Sequence, residues 1–390
     1  ILLDIFNTLG MPTSTTVSMV FELLGGAFAI AIINIAAGGT MPDGTPLMLG
    51  DMLNTEKALS VILAIFLSVA LAFFFGMLVM WIARLVFTFT YRINGKTTAA
   101  DGSMGGLVSS SIKIGVFSGI AVTSIIWFLL IKGLKDSSLM TPELKTFVNE
   151  NTWYIIGGGL LVFSVLMTFL SALKVPVLKV VVLLGTFALA MAFAGNDLVN
   201  FIGVPLTGLD AYNDYMANGG GEPHAFLMGS LMKSANTPLV FLVLAGVLMV
   251  LALVFSKKAH NVVKTSVDLS RQDGGDGMFG SSAVARVLVR TSTRMANNVV
   301  SIVPQSARRW IDSRFNPDEA FLPQGAAFDH IRAAVTLVLA GLLVALGTSL
   351  KLPLSTTYVT FMVAMGSSLA DRAWSRESAV FRITGVMSVI

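Results

Sequence analysis

Asn196, Asp197 and Asn200 set a carboxylate and two amides directly behind an apolar run from Val177 to Ala194. Oxygen donors of this kind suit a hard monovalent cation such as sodium. Two further polar groups interrupt apolar surroundings, Pro12-Thr13-Ser14-Thr15-Thr16 and Pro353-Leu354-Ser355-Thr356-Thr357. Each supplies three hydroxyls, which can both donate and accept hydrogen bonds. The chemistry on offer is coordination and hydrogen bonding rather than bond making. Cysteine is absent and the three histidines are scattered, so neither a thiolate centre nor a zinc cluster is expected. No HExxH or GxSxG pattern occurs. Asp197 as an intramembrane acid or base would need a second carboxylate or a metal, and neither is evident.

The two hydroxyl triplets are related beyond their own residues. At one constant offset Leu9 matches Leu350, Met11 resembles Leu352 and Gly25 matches Gly366. Proline followed by Ser and Thr at the head of an apolar run reads as a helix N-terminus, with the hydroxyl as cap. Free N–H groups at such an end attract anions. The competing reading is that the hydroxyls bond back to the carbonyl four residues earlier. Two equivalent copies beside an Asn-Asp pair favour an oxyanion site. An oxyanion and Asp197 repel at low dielectric. A cation between them removes the conflict, as does a proton on either group. Asp4 is a further candidate cation ligand, and Glu22 lies on the helix that the first triplet opens.

These residues must be positioned by membrane-spanning helices. The chain is 55% hydrophobic and 12% charged, with mean hydropathy +0.80; soluble domains carry about 25% charged residues. A span needs about 20 apolar residues. Candidate spans are 17–38, 58–89, 106–132, 153–173, 177–194, 238–256 and 328–350, with a truncated one from about 377. The expected fold is all-α and polytopic, with about eight transmembrane segments. Gly195, Gly203 and Pro205 predict a broken or re-entrant helix around the Asn-Asp element. Lys and Arg concentrate in 257–327, and residues 281–313 read as helical, with Arg286, Arg290 and Arg294 on one face. That segment is expected on the cytoplasmic side. Acidic residues then collect in the loops on the other side, including Asp43, Asp136 and Asp210. Both ends of the sequence fall in apolar runs, so an internal piece of a longer protein is expected.

Asn-Asp-x-x-Asn at Asn196–Asn200, together with two Pro-x-Ser-Thr-Thr motifs, resembles the inorganic phosphate transporter (PiT) family, relatives of the type III sodium–phosphate cotransporters. The motifs are specific but cover about a tenth of the chain; the rest is similar in hydropathy and order. The segment 1–30 is particularly similar to bacterial members of the family. The resemblance implies two inverted repeats. Residues 1–38 would end the first, 39–176 would connect, 177–256 would begin the second, 257–327 would form a basic cytoplasmic loop, and 328–390 would end the second. It implies a phosphate site from Ser14, Thr15, Thr16, Asn200, Ser355, Thr356 and Thr357. It implies a sodium site from Asn196 and Asp197, to which Asp4 was added above. The first repeat's Asn-Asp element would lie upstream of Ile1. Many members carry His directly after Ser-Thr-Thr, where this chain has Val17 and Tyr358, so no role for that histidine transfers.

The expected function is therefore sodium-coupled phosphate symport by alternating access, without enzymatic activity or a bound cofactor. The expected setting is the bacterial inner membrane, with lipid, and with a second copy of the chain as a possible partner and nucleic acid as none. A proton-coupled phosphate or sulfate carrier is the alternative within transport. A non-transporting phosphate sensor and an intramembrane enzyme are the alternatives of other classes.

Overall fold

A computed structural model describes residues 1–41, 44–88, 104–128, 141–219, 226, 229–232, 237–271, 282–283, 285–287, 289–291, 294, 304–315, 326–350, 352, 354–374 and 376–389. The described residues are helical, with no strand beyond an isolated bridge between Thr40 and Pro46. In chain order the helices are α1 (Leu2–Thr8), α2 (Thr15–Ala36), α3 (Leu49–Met52), α4 (Thr55–Phe87), α5 (Met104–Ile125), α6 (Pro142–Glu150) and α7 (Thr152–Ala172). They continue with α8 (Val177–Asn218), α9 (Leu239–Phe255), α10 (Lys257–Leu269), α11 (Gln305–Arg314), α12 (His330–Ser349), α13 (Thr356–Ala370) and α14 (Arg376–Val389).

Six of these helices are long and apolar enough to cross a membrane, or seven if α9 and α10, bent by 68°, count as one span. The chain is thus a multi-pass membrane protein with fewer spans among the described residues than the eight expected. The final segment is helical, α14 running from Arg376 to Val389. Asp43, Asp136 and much of 281–313, which entered the orientation and loop readings, lie outside the described residues.

Most of the bundle's surface is apolar, as a lipid-facing protein requires. The dry interior gathers around α4, α8, α12 and α13, where Ala72, Val181, Ala188, Ala340, Val344, Val363 and Met365 are at most 1% exposed. Small residues bring α4 and α13 into contact. A Cβ added at Gly76 would sit 2.5 Å from the Val363 carbonyl oxygen, and one at Gly366 would collide with the Phe73 carbonyl oxygen. Between helices in lipid, such backbone approach replaces the hydrophobic drive that water supplies elsewhere.

Helices α12 and α13 form a hairpin with both outer ends on the same side of the molecule. Asp329 caps α12, its carboxylate accepting from the Arg332 backbone N–H at 2.8 Å. Asp371 follows the last residue of α13. Arg84, near the end of α4, holds both. Its Nε and Nη2 donate to Asp371 at 2.8 and 2.7 Å, and its Nη1 donates to Asp329 at 2.7 Å. Arg84 and Asp371 have fully buried side chains. The turn between the two helices, opposite those outer ends, carries the second Ser-Thr-Thr triplet.

The Asn-Asp element itself is not broken. Helix α8 runs through Gly195, Gly203 and Pro205 for 42 residues, ~63 Å at ~1.5 Å per residue. Proline removes one N–H from the ladder and frees one carbonyl, that of Phe201. The hydrogen bonds on either side continue past that gap. The buried stripe Val177, Leu178, Val181, Gly185, Ala188 and Ala192 anchors the first half of α8 before the polar element begins.

Candidate functional site

Both Ser-Thr-Thr triplets open helices. Ser14 caps α2, its Oγ accepting from the Val17 N–H at 3.0 Å, and Ser355 caps α13, its Oγ accepting from the Tyr358 N–H at 3.0 Å. Each serine is extended in backbone conformation, as a cap requires. The capping reading therefore holds over back-bonding for both serines. Back-bonding belongs to Ser18 instead, which donates to the Ser14 carbonyl at 2.9 Å. Capping uses a serine's oxygen as acceptor and leaves its O–H able to donate.

The two helix ends converge on one face of α8. Thr356 Oγ1 lies 2.9 Å from both carboxylate oxygens of Asp197, donating its proton between them. Asn200 Nδ2 donates to Thr16 Oγ1 at 2.8 Å. Asn196 sits between the two ends. Its Nδ2 lies 3.2 Å from Asp197 Oδ1, 3.4 Å from the Leu354 carbonyl and 3.5 Å from Thr16 Oγ1. The three polar residues of α8 are half-buried, whereas Ser14, Thr16, Ser355 and Thr356 are at most 2% exposed. Tyr358 ties the triplets together, its side chain hydrogen-bonding to the Ser14 backbone.

Ser14, Thr16, Asn196, Asp197, Asn200, Ser355 and Thr356 thus lie in one cluster. The triplets do not contribute in register. Thr356 meets Asp197 from the second position of its motif, while Thr16 meets Asn200 from the third. Thr15, the counterpart of Thr356, has a buried hydroxyl with no hydrogen-bond partner, as does Thr13. Thr357, the counterpart of Thr16, is half-buried on the first turn of α13.

Asp4 does not join this cluster. It lies on α1 with an exposed side chain and accepts from Lys258 Nζ at 2.6 Å. The Lys258 ammonium holds the Asp4 carboxyl below the usual carboxylate range. An apolar sequence neighbourhood suggested depth, but α1 packs against the polar helix α10 instead. Glu22 is exposed on α2.

The arrangement presents two kinds of donor in one place. The carboxylate of Asp197, the Leu354 carbonyl and the threonine oxygens are hard ligands for a cation. The hydroxyl protons, the amide of Asn196 and two helix N-termini favour an anion. Sequence reading missed the Leu354 carbonyl and Tyr358. The first is a backbone group with no sequence signature. The second stands where the family pattern has His and was set aside for that reason. No protein-family model, curated protein or solved structure matches the chain.

Proposed function

We infer that the protein is a secondary transporter that moves inorganic phosphate inward with sodium by alternating access. The observation that carries this reading is the meeting of two Ser-Thr-Thr helix ends on Asn196, Asp197 and Asn200. An isolated oxyanion beside Asp197 is disfavoured, and an isolated cation beside two positive helix ends is disfavoured as well. Each ligand relieves the other's repulsion, so binding is mutual, and mutual binding is the thermodynamic basis of symport. Sodium would take oxygen ligands from Asp197, Thr356 and the Leu354 carbonyl. Phosphate would take hydroxyl and N–H donors from Ser14, Thr15, Thr16, Ser355, Thr356 and Thr357, with Asn200 at its edge. The unpartnered Thr15 hydroxyl supports this assignment, since a buried donor without a partner is costly. In the two-repeat reading, Thr15 would also be the group that faces the first repeat's own Asn-Asp element.

The α12–α13 hairpin is the element suited to move. Its tip bears Ser355 and Thr356, and its outer ends are gripped by Arg84. A rigid-body shift of such an element opens a midplane site to one side at a time.

The test is uptake into proteoliposomes containing the full-length protein, with sodium and proton gradients imposed separately. Phosphate accumulation should follow the sodium gradient and vanish in Asp197→Ala. Normal uptake by that variant would sink the assignment. Uptake driven by protons, or equal competition by sulfate, would move the reading to the alternative carrier. Phosphate binding without flux would favour a sensor.

A further inference from the structure

The two ends of the bundle differ in charge. Arg84 sets the end of α4 beside the outer ends of the hairpin, and α10 and α11 close on that same end. The Ser270 and Arg271 carbonyls, just past α10, accept from Arg332 and Arg382. Asp312 of α11 accepts from Arg372, just past α13, at 2.7 Å. At the opposite end α4 begins, α6 leads into α7 and α8 finishes, bringing Glu56, Glu143, Glu150, Asp210 and Asp214 against two lysines. Basic residues gathered on one side of a set of spans face the surface of one leaflet. The basic end also lies at the depth of such a surface. After the apolar span α9 the chain bends by 68° into α10, whose exposed residues include Lys257, His260 and Lys264. A polar-faced helix set at that angle to a span runs along the interface.

Helix α11 is anchored at this level. Phe315, directly after it, is buried and stacks on Trp81 of the spanning helix α4, with ring centroids 6.5 Å apart. Trp81 lies ~9 Å of helix before Phe87, the last residue of α4, and tryptophan near a span end marks the membrane–water boundary. On α11, Ala307, Ile311 and Arg314 are half-buried, whereas Arg308, Arg309 and Trp310 are exposed. The one carboxylate of this helix, Asp312, is engaged by Arg372 and lies 3.8 Å from Arg308. Arg309 pairs with no carboxylate among the described residues. Trp310 is 51% exposed, with the Arg314 guanidinium 5.5 Å from its ring centroid. An exposed indole beside exposed arginines matches a phospholipid surface, where an apolar layer adjoins a charged one. We propose that α11 docks on anionic phospholipid headgroups, with Arg308 and Arg309 on the lipid phosphates and Trp310 among the upper acyl carbons. The Asp312–Arg372 pair then ties the lipid-bound helix to the outer end of α13. This surface is separate from the Asn196–Asp197–Asn200 cluster, and its lipid preference holds whatever that cluster carries.

Trp310 reports on its own surroundings. The full-length protein carrying W81F, W127F, W153F and W374F keeps Trp310 alone among the five tryptophans of this chain. It is reconstituted in bilayers of phosphatidylcholine and phosphatidylglycerol, with bromine on the acyl chains of one lipid at a time. At equal mole fractions, brominated phosphatidylglycerol should quench Trp310 more than brominated phosphatidylcholine. Arg309→Gln should lower the relative association constant of the anionic lipid about 5-fold, the ~1 kcal/mol that one basic residue contributes near an anionic surface. Arg309→Lys should keep most of the preference, and Arg308→Gln/Arg309→Gln should remove it. Trp153, kept alone instead, is 83% exposed at the acidic end and should show no preference for phosphatidylglycerol. Sodium phosphate should weaken the Trp310 preference no more than sodium chloride at matched ionic strength. With all five tryptophans intact, native mass spectrometry of the detergent-purified protein gives a second measurement. Arg309→Gln should retain less phosphatidylglycerol than the parent, with phosphatidylcholine unchanged. Equal quenching of Trp310 by the two brominated lipids would make α11 a solvated face and overturn the proposal. So would a Trp153 preference as large as that of Trp310, selective displacement by inorganic phosphate, or equal phosphatidylglycerol retention by Arg309→Gln and the parent.

Discussion

Replacing Thr356 by valine removes one hydroxyl and leaves the side chain's shape almost intact, so packing on α13 is preserved. The hydroxyl's single proton is shared between two carboxylate oxygens at 2.9 Å each, which counts as one charge-assisted hydrogen bond. Such bonds contribute about 1.5–3 kcal/mol. The remaining donor to Asp197 is Asn196 Nδ2, at 3.2 Å and shared with two other acceptors. Thr356→Val should therefore destabilise the protein by about 2 kcal/mol, a factor of about 30 in the unfolding equilibrium. In an Asp197→Asn background the lost bond is neutral and its removal should cost about 1 kcal/mol. The double-mutant cycle should then show a coupling of about 1 kcal/mol between the two positions. Reversible unfolding in mixed micelles, monitored on all four proteins, measures these terms. A cost below about 0.5 kcal/mol, or the same cost in both backgrounds, would refute the direct Thr356–Asp197 bond. Thr356→Ser should restore most of the lost stability.

Arg84→Met should destabilise the bundle by about 3–5 kcal/mol, because it strands the buried Asp371 carboxylate; Arg84→Met/Asp371→Asn should recover part of this in the same unfolding assay. Ser14→Ala and Ser355→Ala should each cost about 1 kcal/mol through loss of an N-cap, read as a lower thermal midpoint, while Ser355→Gly should cost only a few tenths. Gly366→Ala should cost about 1–3 kcal/mol by forcing α13 off the Phe73 carbonyl, and an unshifted denaturation midpoint would show that the helices are not in backbone contact. The Asp4–Lys258 contact should hold at neutral pH and loosen as pH falls below the usual carboxylate range, since the folded-state carboxyl is held low. Cross-linking of α1 to α10 across that range reads the loss. Asp4→Asn should leave the sodium dependence of uptake unchanged, and a raised sodium requirement would return Asp4 to the cation site.

Local chemistry was the legible part. Hydropathy located the helices because a span must bury its own backbone polar groups in lipid, and the six spanning helices follow the apolar runs. The two serine caps were readable because a cap bonds an amide three residues away in the same chain. The shared face of Asp197 and Asn200 was readable because helical spacing sets it. Pro205 misled for the complementary reason. Its local cost argued for a break, while the flanking ladder and the packing of α8 carried the helix through.

Sequence alone determined that this is a helical membrane protein with hydroxyl-capped helix ends and one polar element in an apolar helix, since each is set by neighbours along the chain. Only the tertiary structure decided which atoms meet. The bond from Thr356 to Asp197 spans 159 residues, and that from Arg84 to Asp371 spans 287. It chose Thr16 from one triplet and Thr356 from the other, although the motifs are the same: Thr16 meets Asn200 and Thr356 meets Asp197. It took Asp4 out of the site and placed Arg84, Asp329 and Asp371 at the hairpin's outer ends. A buried charge is stable only beside a partner, and the partner is chosen by helix packing rather than by sequence distance.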